Sequence, residues 1–455
     1  MSDPSPTAAP QSFQGYGTRG YRAYVLGALL LVYTFNFIDR LLISIVQEPI
    51  KHEFQLSNFQ LGILGGPAFA LLYTFAGIPI ARWAERGNRI TIVAIGTALW
   101  SAMTAACGFA LNYTHLLLAR IGVGIGEAAC VPPAHSAMSD YFPADRRASA
   151  LAIFSLGIPI GAALAAFGGG WLTQHFDWRS AFLLLGAPGL VVALLLKLTV
   201  KEPPRAGGAA PTPPLGAALR ALAGKPSFWH MAMGGALIAF VGYGSSQFIV
   251  SHLVRNYDLA PTLPEEVARA SYAFGVITGL STGLGTFLGG YLADRLTPRH
   301  PNVLCWLPAV GMAGAIPLYL LSFAQTDFAA AFALLLLAPL FHYTYLGPMF
   351  AVTQSVAEPR MRATATAILL FIVNLIGYGL GPPFVGAAND FFAALILDGQ
   401  GISVDQCSDA INAAACAEAE GRGLKYALGA VLFAAAWAGV HFLLAARTFH
   451  RDRVS

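Results

Sequence analysis

Charge is what this sequence lacks. Only 11% of its 455 residues are Asp, Glu, Lys or Arg, against ~25% in an ordinary soluble domain. A water-facing surface on a chain this long demands more charge; a lipid-facing one does not. Cysteine is scarce as well, five in all, and the five do not form a metal cluster. Cys107, Cys130 and Cys305 sit in apolar runs and read as small packing residues. Cys407 and Cys416 share one polar loop and can form a disulfide if that loop faces an oxidising space. No nucleophile elbow, no His-Glu-x-x-His and no Lys-bearing phosphate loop is recognised, so neither an enzyme nor an ATP-driven pump is expected, and neither metal nor cofactor. A secretory signal is missing too: residues 1–20 are polar and read as a cytoplasmic tail.

Apolar length is what the sequence has. Hydrophobic residues make up 56% of the chain, with 48 Gly and 28 Pro, a mixture that suits helices packing closely in a bilayer. Crossing ~30 Å of hydrocarbon takes ~20 mostly apolar residues. That ruler predicts twelve spans, at 22–46, 58–82, 90–110, 114–138, 148–170, 180–200, 227–251, 270–292, 303–324, 328–355, 363–388 and 424–446. The Pro-rich stretch 201–226 reads as a linker between an N-terminal bundle (21–200) and a C-terminal one (227–446), with 447–455 as a second tail. Putting the N-terminus inside assigns 19 Lys and Arg to inner segments and 6 to outer loops. The bias predicts that both termini are cytoplasmic, and the expected location is the cell (inner) membrane.

An internal repeat supports two halves. Ala81-Arg-Trp-Ala-Glu85-Arg86-Gly-Asn-Arg89 follows the second span, and Gly290-Tyr-Leu-Ala-Asp294-Arg295-Leu-Thr-Pro-Arg299 follows the eighth. Both carry a small residue, an acidic–Arg pair and a further Arg, six spans apart. The pattern resembles the cytoplasmic signature of the major facilitator superfamily, with Ala81 for Gly and Glu85 for Asp in the first copy. The resemblance implies an all-α membrane protein of two pseudo-symmetric six-helix bundles that rock to give alternating access. Glu85, Arg86, Arg89, Asp294, Arg295 and Arg299 would then form the cytoplasmic gate motif.

Four charges lie inside apolar spans: Asp39 and Arg40 in the first, Arg120 and Glu127 in the fourth. An unpaired charge in hydrocarbon costs at least ~2.5 kcal/mol, so such residues are normally paired or functional. Arg120 and Glu127 are two turns apart and share a face, whereas Asp39 and Arg40 point about 100° apart. The expected arrangement is an Asp39–Arg120 contact, with Arg40 facing the cavity. Glu127 would sit ~10 Å deeper than Arg120, without a partner, as a proton carrier. The alternative is a static ion network that ties two helices together. Asn36-Phe-Ile-Asp39-Arg40 looks like a string shared by spinster-type transporters and organic-anion symporters. Arg120-Ile-Gly-Val-Gly-Ile-Gly126-Glu127, Asp140-Tyr-Phe, Asp145-Arg146-Arg147 and Phe154-Ser-Leu-Gly157-Ile-Pro159-Ile-Gly161 resemble the spinster group more closely. That resemblance implies lipid-like substrates, with Asp39 and Glu127 as proton-linked carboxylates and Arg40 and Arg120 as substrate or latch cations.

Other residues have two roles open. Gly122, Gly124 and Gly126 allow close backbone approach or plain helix packing. His342, between Phe341 and Tyr343, lines an amphipathic cavity or is a satisfied core histidine. Asn374 with Tyr378, and Tyr243 with Gln247, offer hydrogen bonds to substrate or between helices; Tyr33 and Asn36 lie near the charges on the first span. The expected function is a secondary transporter, proton-coupled, moving an amphipathic lipid-like or organic anion. The alternative is a proton or sodium symporter for a small organic acid. A monomer in the lipid bilayer is expected, with no nucleic-acid partner.

Overall fold

The computed structural model describes residues 15–205, 215–257, 264–358 and 361–454. Most of the expected N-terminal tail, the linker middle at 206–214 and the side chain of Asp145 therefore lie outside the described residues. Among those described, twelve helices are long and apolar enough to cross a bilayer. They are α1 (Arg19–Phe54), α2 (Asn58–Arg86), α3 (Arg89–Cys107), α4 (Tyr113–Tyr141), α5 (Ser149–His175) and α6 (Trp178–Thr199), then α7 (Pro226–Asn256), α8 (Pro264–Leu296), α9 (Val303–Ala324), α10 (Phe328–Val356), α11 (Thr364–Asp398) and α12 (Ala410–Asp452).

Each predicted span finds its helix, but several helices outrun the apolar run that announced them. α1 continues eight residues past 46, carrying Gln47, Glu48 and Lys51 into buried positions. Of the linker's described residues, 201–205 lie against the N-terminal bundle without regular secondary structure and Leu215–Ala223 is a short helix.

Proline and glycine set where the helices bend. In α4 the pair Pro132-Pro133 removes two amide donors, and the helix breaks just after Glu127 into i→i−3 turns, Ala129 N to Gly126 O and Cys130 N to Glu127 O. α2 breaks at Gly66-Pro67 for the same reason. α8 and α11 carry π-helical turns at Ile277–Thr282 and Val373–Tyr378, and α10 tightens to a 3₁₀ turn at Tyr343–Tyr345. Such irregular turns gather at functional sites. The string Gly279-Leu280-Ser281-Thr282-Gly283 has the spacing of a nucleophile elbow, yet it lies mostly within the α8 π-turn with Ser281 buried. Among the described residues no strand precedes it, so it is no elbow.

α1–α6 and α7–α12 form two bundles, and the seam between them is built by α2 against α11 and α5 against α8. These are the pairs that a two-fold relation between halves would exchange. The glycine run of α4 works in packing: a Cβ on Gly126 would meet the Trp100 backbone nitrogen of α3 at 2.6 Å. Bonds across the seam gather at the pole away from the chain termini. There Gln47 donates to Ser251 Oγ (2.6 Å) and to the Gln247 carbonyl (2.8 Å), and Gln247 returns a bond to Gln47 Oε1 (2.6 Å).

Candidate functional site

At mid-depth of the N-terminal bundle, Arg40 on α1 pairs with Glu127 on α4. Arg40 Nη2 lies 2.7 Å from Glu127 Oε2 and Nε 3.3 Å from the same oxygen, with Asn36 Oδ1 at 3.5 Å. The guanidinium is surrounded by rings, its carbon 4.9 Å from the Phe37 centroid, 4.8 Å from Phe69 and 5.2 Å from Tyr73. Glu127 is fully buried; Arg40 keeps 12% of its side-chain surface exposed. Glu127 Oε1 has no hydrogen-bond partner among the described residues. A planar cation that stacks on aromatic faces while bonding a carboxylate is what Arg, and not Lys, provides.

This arrangement corrects three expectations. Glu127 is not partnerless, and Arg40 does not stand free towards the cavity. The Asp39–Arg120 side-chain contact is also absent among the described residues. Arg120 Nη1 instead donates to the backbone carbonyl of Asp39 at 3.0 Å, and its Nε approaches the Leu64 carbonyl at 3.5 Å. Among the described residues, both carboxyl oxygens of Asp39 are buried without a hydrogen bond, and so is Arg120 Nη2. The geometry is an angular consequence: neighbours on α1 face different elements, and Arg40 has the longer reach, so it takes the deeper partner.

The remaining sequence candidates divide into groups. Tyr378 stacks on Tyr243 at 4.4 Å and lies 5.2 Å from Phe69, so α7 and α11 meet the Arg40 surroundings through aromatic rings. Tyr33 stacks on Phe154 of α5 at 4.4 Å. Asn374 lies half-buried in the α11 π-turn, while Gln247 belongs to the bonded seam at the far pole. His342 stands apart within the C-terminal bundle, 1% exposed with neither ring nitrogen bonded.

At the pole near the termini the repeat motifs part company. Arg89 is buried and binds Asp140, Glu202 Oε1 (2.6 Å), the Ser136 hydroxyl (3.1 Å) and the Pro203 carbonyl (3.0 Å). Arg205 donates to the carbonyls of Ala84 and Gly87, both at 2.9 Å. The first residues of the linker are thus fastened to the motif between α2 and α3. Glu85, Arg86, Asp294, Arg295 and Arg299 are exposed.

The far pole holds charges that the sequence does not announce as a site. Arg255 of α7 embraces Glu48 of α1, with Nη2 2.7 Å from Oε1 and Nε 3.1 Å from Oε2, and donates to Asn58 Oδ1 at 2.9 Å. Lys51 reaches both Glu420 oxygens at 2.6 Å, and Asp390 accepts from the backbone amides of Asn58 and Phe59 at 3.0 and 2.8 Å. These residues flank apolar runs and read in sequence as loop charges. Their one local signal is the i, i+3 pair Glu48 and Lys51 enclosing Ile50, a pattern that continues a helix. Beside them, Cys407 and Cys416 are joined in a disulfide at the start of α12, and Cys107, Cys130 and Cys305 are buried free thiols.

Comparison with known proteins places this architecture. Residues 29–382 match the Major Facilitator Superfamily. An MFS-type efflux pump of Mycolicibacterium smegmatis is 33% identical over 86% of this chain and 89% of its own length. Protein spinster homolog 1 of Homo sapiens is 28% identical over 82% of this chain and 74% of its own. A crystal structure of a bacterial homolog of the human lysosomal transporter spinster, inward-facing and unoccupied, superposes with a TM-score of 0.87 at 38% identity, covering 96% of this chain and all of that one. The chain is a multi-pass membrane transporter, not an enzyme, and belongs to the spinster branch of the major facilitator superfamily.

Proposed function

We propose that this transporter couples movement of an amphipathic anion to a proton, and that the Arg40–Glu127 pair is the coupling element. The carrying observation is a buried carboxylate whose cation is the one partly exposed member of the pair. With Glu127 ionised, the guanidinium is engaged. A proton on Glu127 removes the charge that holds it and frees Arg40 for an anionic head group, in a setting where desolvation strengthens every charge interaction. Proton and anion therefore favour the same carrier state, which is the logic of symport: each binds more tightly when the other is present. The ring lining around Arg40 supports a substrate with an apolar body beside its anion.

The bonded far pole and the exposed gate residues Glu85 and Asp294 support an inward-facing state, given the basic bias that puts both termini in the cytoplasm. Rocking would then break the far-pole bonds and bring the exposed motifs into contact. In proteoliposomes, Glu127→Gln should retain folding and lose flux driven by a pH gradient, because the amide keeps Arg40 free whatever the pH. Flux in that variant that still follows the gradient would remove Glu127 from coupling. Arg40→Ala should weaken anionic substrates more than neutral analogues, and equal loss of both would deny it a head-group role.

A further inference from the structure

Within the C-terminal bundle, an open cleft of about 420 Å³, counting solvent at its mouth, lies between α7, α8, α9 and α10. Six of its lining residues bear hydroxyls: Ser245, Ser246, Thr278, Thr282, Tyr319 and Tyr343. None of its twelve lining residues is charged. The α8 π-turn forms one wall. Thr278 spends its hydroxyl on the Phe274 carbonyl at 2.8 Å, but the Ser245 and Ser246 hydroxyls make no hydrogen bond among the described residues, so they are available to a ligand.

His342 stands behind this cleft. Its ring is 4.8 Å from Tyr343 and 6.0 Å from Tyr319, both cleft residues. A Cβ placed on Gly242, also in the lining, would come 3.2 Å from His342 Nε2 and 3.6 Å from Tyr343 Oη. Gly242 is thus the lining residue beside the imidazole, and its missing side chain leaves no Cβ between His342 Nε2 and the cleft. A buried polar group without a partner is costly, and natural proteins rarely keep one without use.

We infer that this cleft is a neutral hydrogen-bonding subsite in which His342, with Ser245 and Ser246, holds an uncharged hydroxyl or amide of the substrate. The inference rests on the proposed function, since it places the substrate's anion at Arg40. From Arg40 a succession of ring contacts runs through Phe69 (4.8 Å), Tyr378 (a further 5.2 Å) and Tyr243 (a further 4.4 Å), and Tyr243 adjoins Gly242 in the chain. A neutral imidazole offers one donor and one acceptor, which suits a hydroxyl and gives nothing to a bare alkyl chain.

The test uses two probes that differ by one group, dodecyl phosphate and 12-hydroxydodecyl phosphate, whose terminal hydroxyl can reach the cleft while the phosphate lies at Arg40. Binding is measured by titration calorimetry on the full chain in nanodiscs. The parent protein should prefer the hydroxylated probe by about tenfold. Gly242→Val, which puts a side chain beside Nε2, and His342→Phe should bring the two probes to equal affinity; His342→Gln, which retains a donor and an acceptor, should keep part of the preference. Melting curves confirm that each variant folds, and the Gly242 variant answers if His342→Phe does not. A parent without preference, or a preference that survives both blocking variants, overturns the subsite. If Arg40→Ala weakens both probes while the parent shows no preference, the subsite falls and the anion site stands. Failure of both probes to bind the parent sinks both.

Discussion

Removing Arg255 should swing this transporter open at the far pole. Arg255 makes three short bonds there, two to Glu48 and one to Asn58, and lies 3.8 Å from Glu420. The pair is dry, with 5% and 1% of the two side chains exposed. Breaking such a pair by deleting one partner costs about 3–5 kcal/mol, because the survivor stays buried with its charge uncompensated. Opening the pole wets Glu48 again, so the cost falls on the closed state alone. The closed-to-open ratio should drop by roughly two to four powers of ten. Spin labels on Gln55 and Gln400, both exposed beside the pole, would report this as a longer, broader distance distribution in Arg255→Ala by pulsed electron resonance. Glu48→Ala should give much the same shift, and the double variant little more than either single one, since all three remove one interaction. Arg179→Ala is the control. Its pair with Glu53 is 27% and 41% exposed and lies within one bundle, where such pairs contribute about 0–1 kcal/mol. Distances in Arg255→Ala that match the parent would show that the seam is held by apolar contact and that these charges are bystanders.

The pole near the termini gives a separate test. Arg89→Ala should cost about 3–5 kcal/mol by leaving Asp140 and Glu202 without their shared cation; thermal unfolding that stays within a degree of the parent would contradict the hub role. Reducing the Cys407–Cys416 disulfide, which closes a loop of nine in sequence separation, should lower the melting temperature by less than about 3 °C, given how little entropy so short a loop constrains in a chain this long. A larger fall would make the bridge a structural tie for α12.

How far the sequence reveals this molecule depends on the kind of signal. The helices are legible because lipid demands unbroken apolar length, and few structures besides a membrane helix use twenty such residues in a row. Their ends are not. α1 runs on through Glu48 and Lys51 because charges that pair across the seam can be buried there, and pairing between distant segments leaves no mark in a local window. Arg40, Arg120, Asp39 and Glu127 are legible as a group through their cost in hydrocarbon. The pairing among them is not, because helical periodicity says which side chains diverge, not which neighbour each one meets. The reach of Arg40, and the capture of Arg120 by a backbone carbonyl, are tertiary facts. The same holds for Phe69, whose ring sits 4.8 Å from Arg40 and 5.7 Å from Arg120 yet reads in sequence as one more apolar residue.

Two sets of charges therefore divide the work along the depth of the molecule. The far-pole set joins the two bundles and must break whenever that pole opens. The Arg40–Glu127 pair lies wholly within the N-terminal bundle, so rocking alone need not disturb it. A rigid-body motion can present this pair to one side of the membrane and then to the other with its internal geometry intact. Under the proposed function, what alters the pair is chemistry, a proton on Glu127 or an anion on Arg40. Coupling then requires that pair occupancy bias the far-pole bonds, and the ring contact from Phe69 to Tyr378, which crosses the seam at 5.2 Å, is a direct physical route for that bias. Substituting Phe69 with Leu keeps the apolar volume but removes the ring from both neighbours. It should leave anion binding within a few fold while loosening the link between substrate and pole opening, seen as a far-pole distance that no longer responds to ligand. A far pole that still responds fully in Phe69→Leu would place the route elsewhere in the seam.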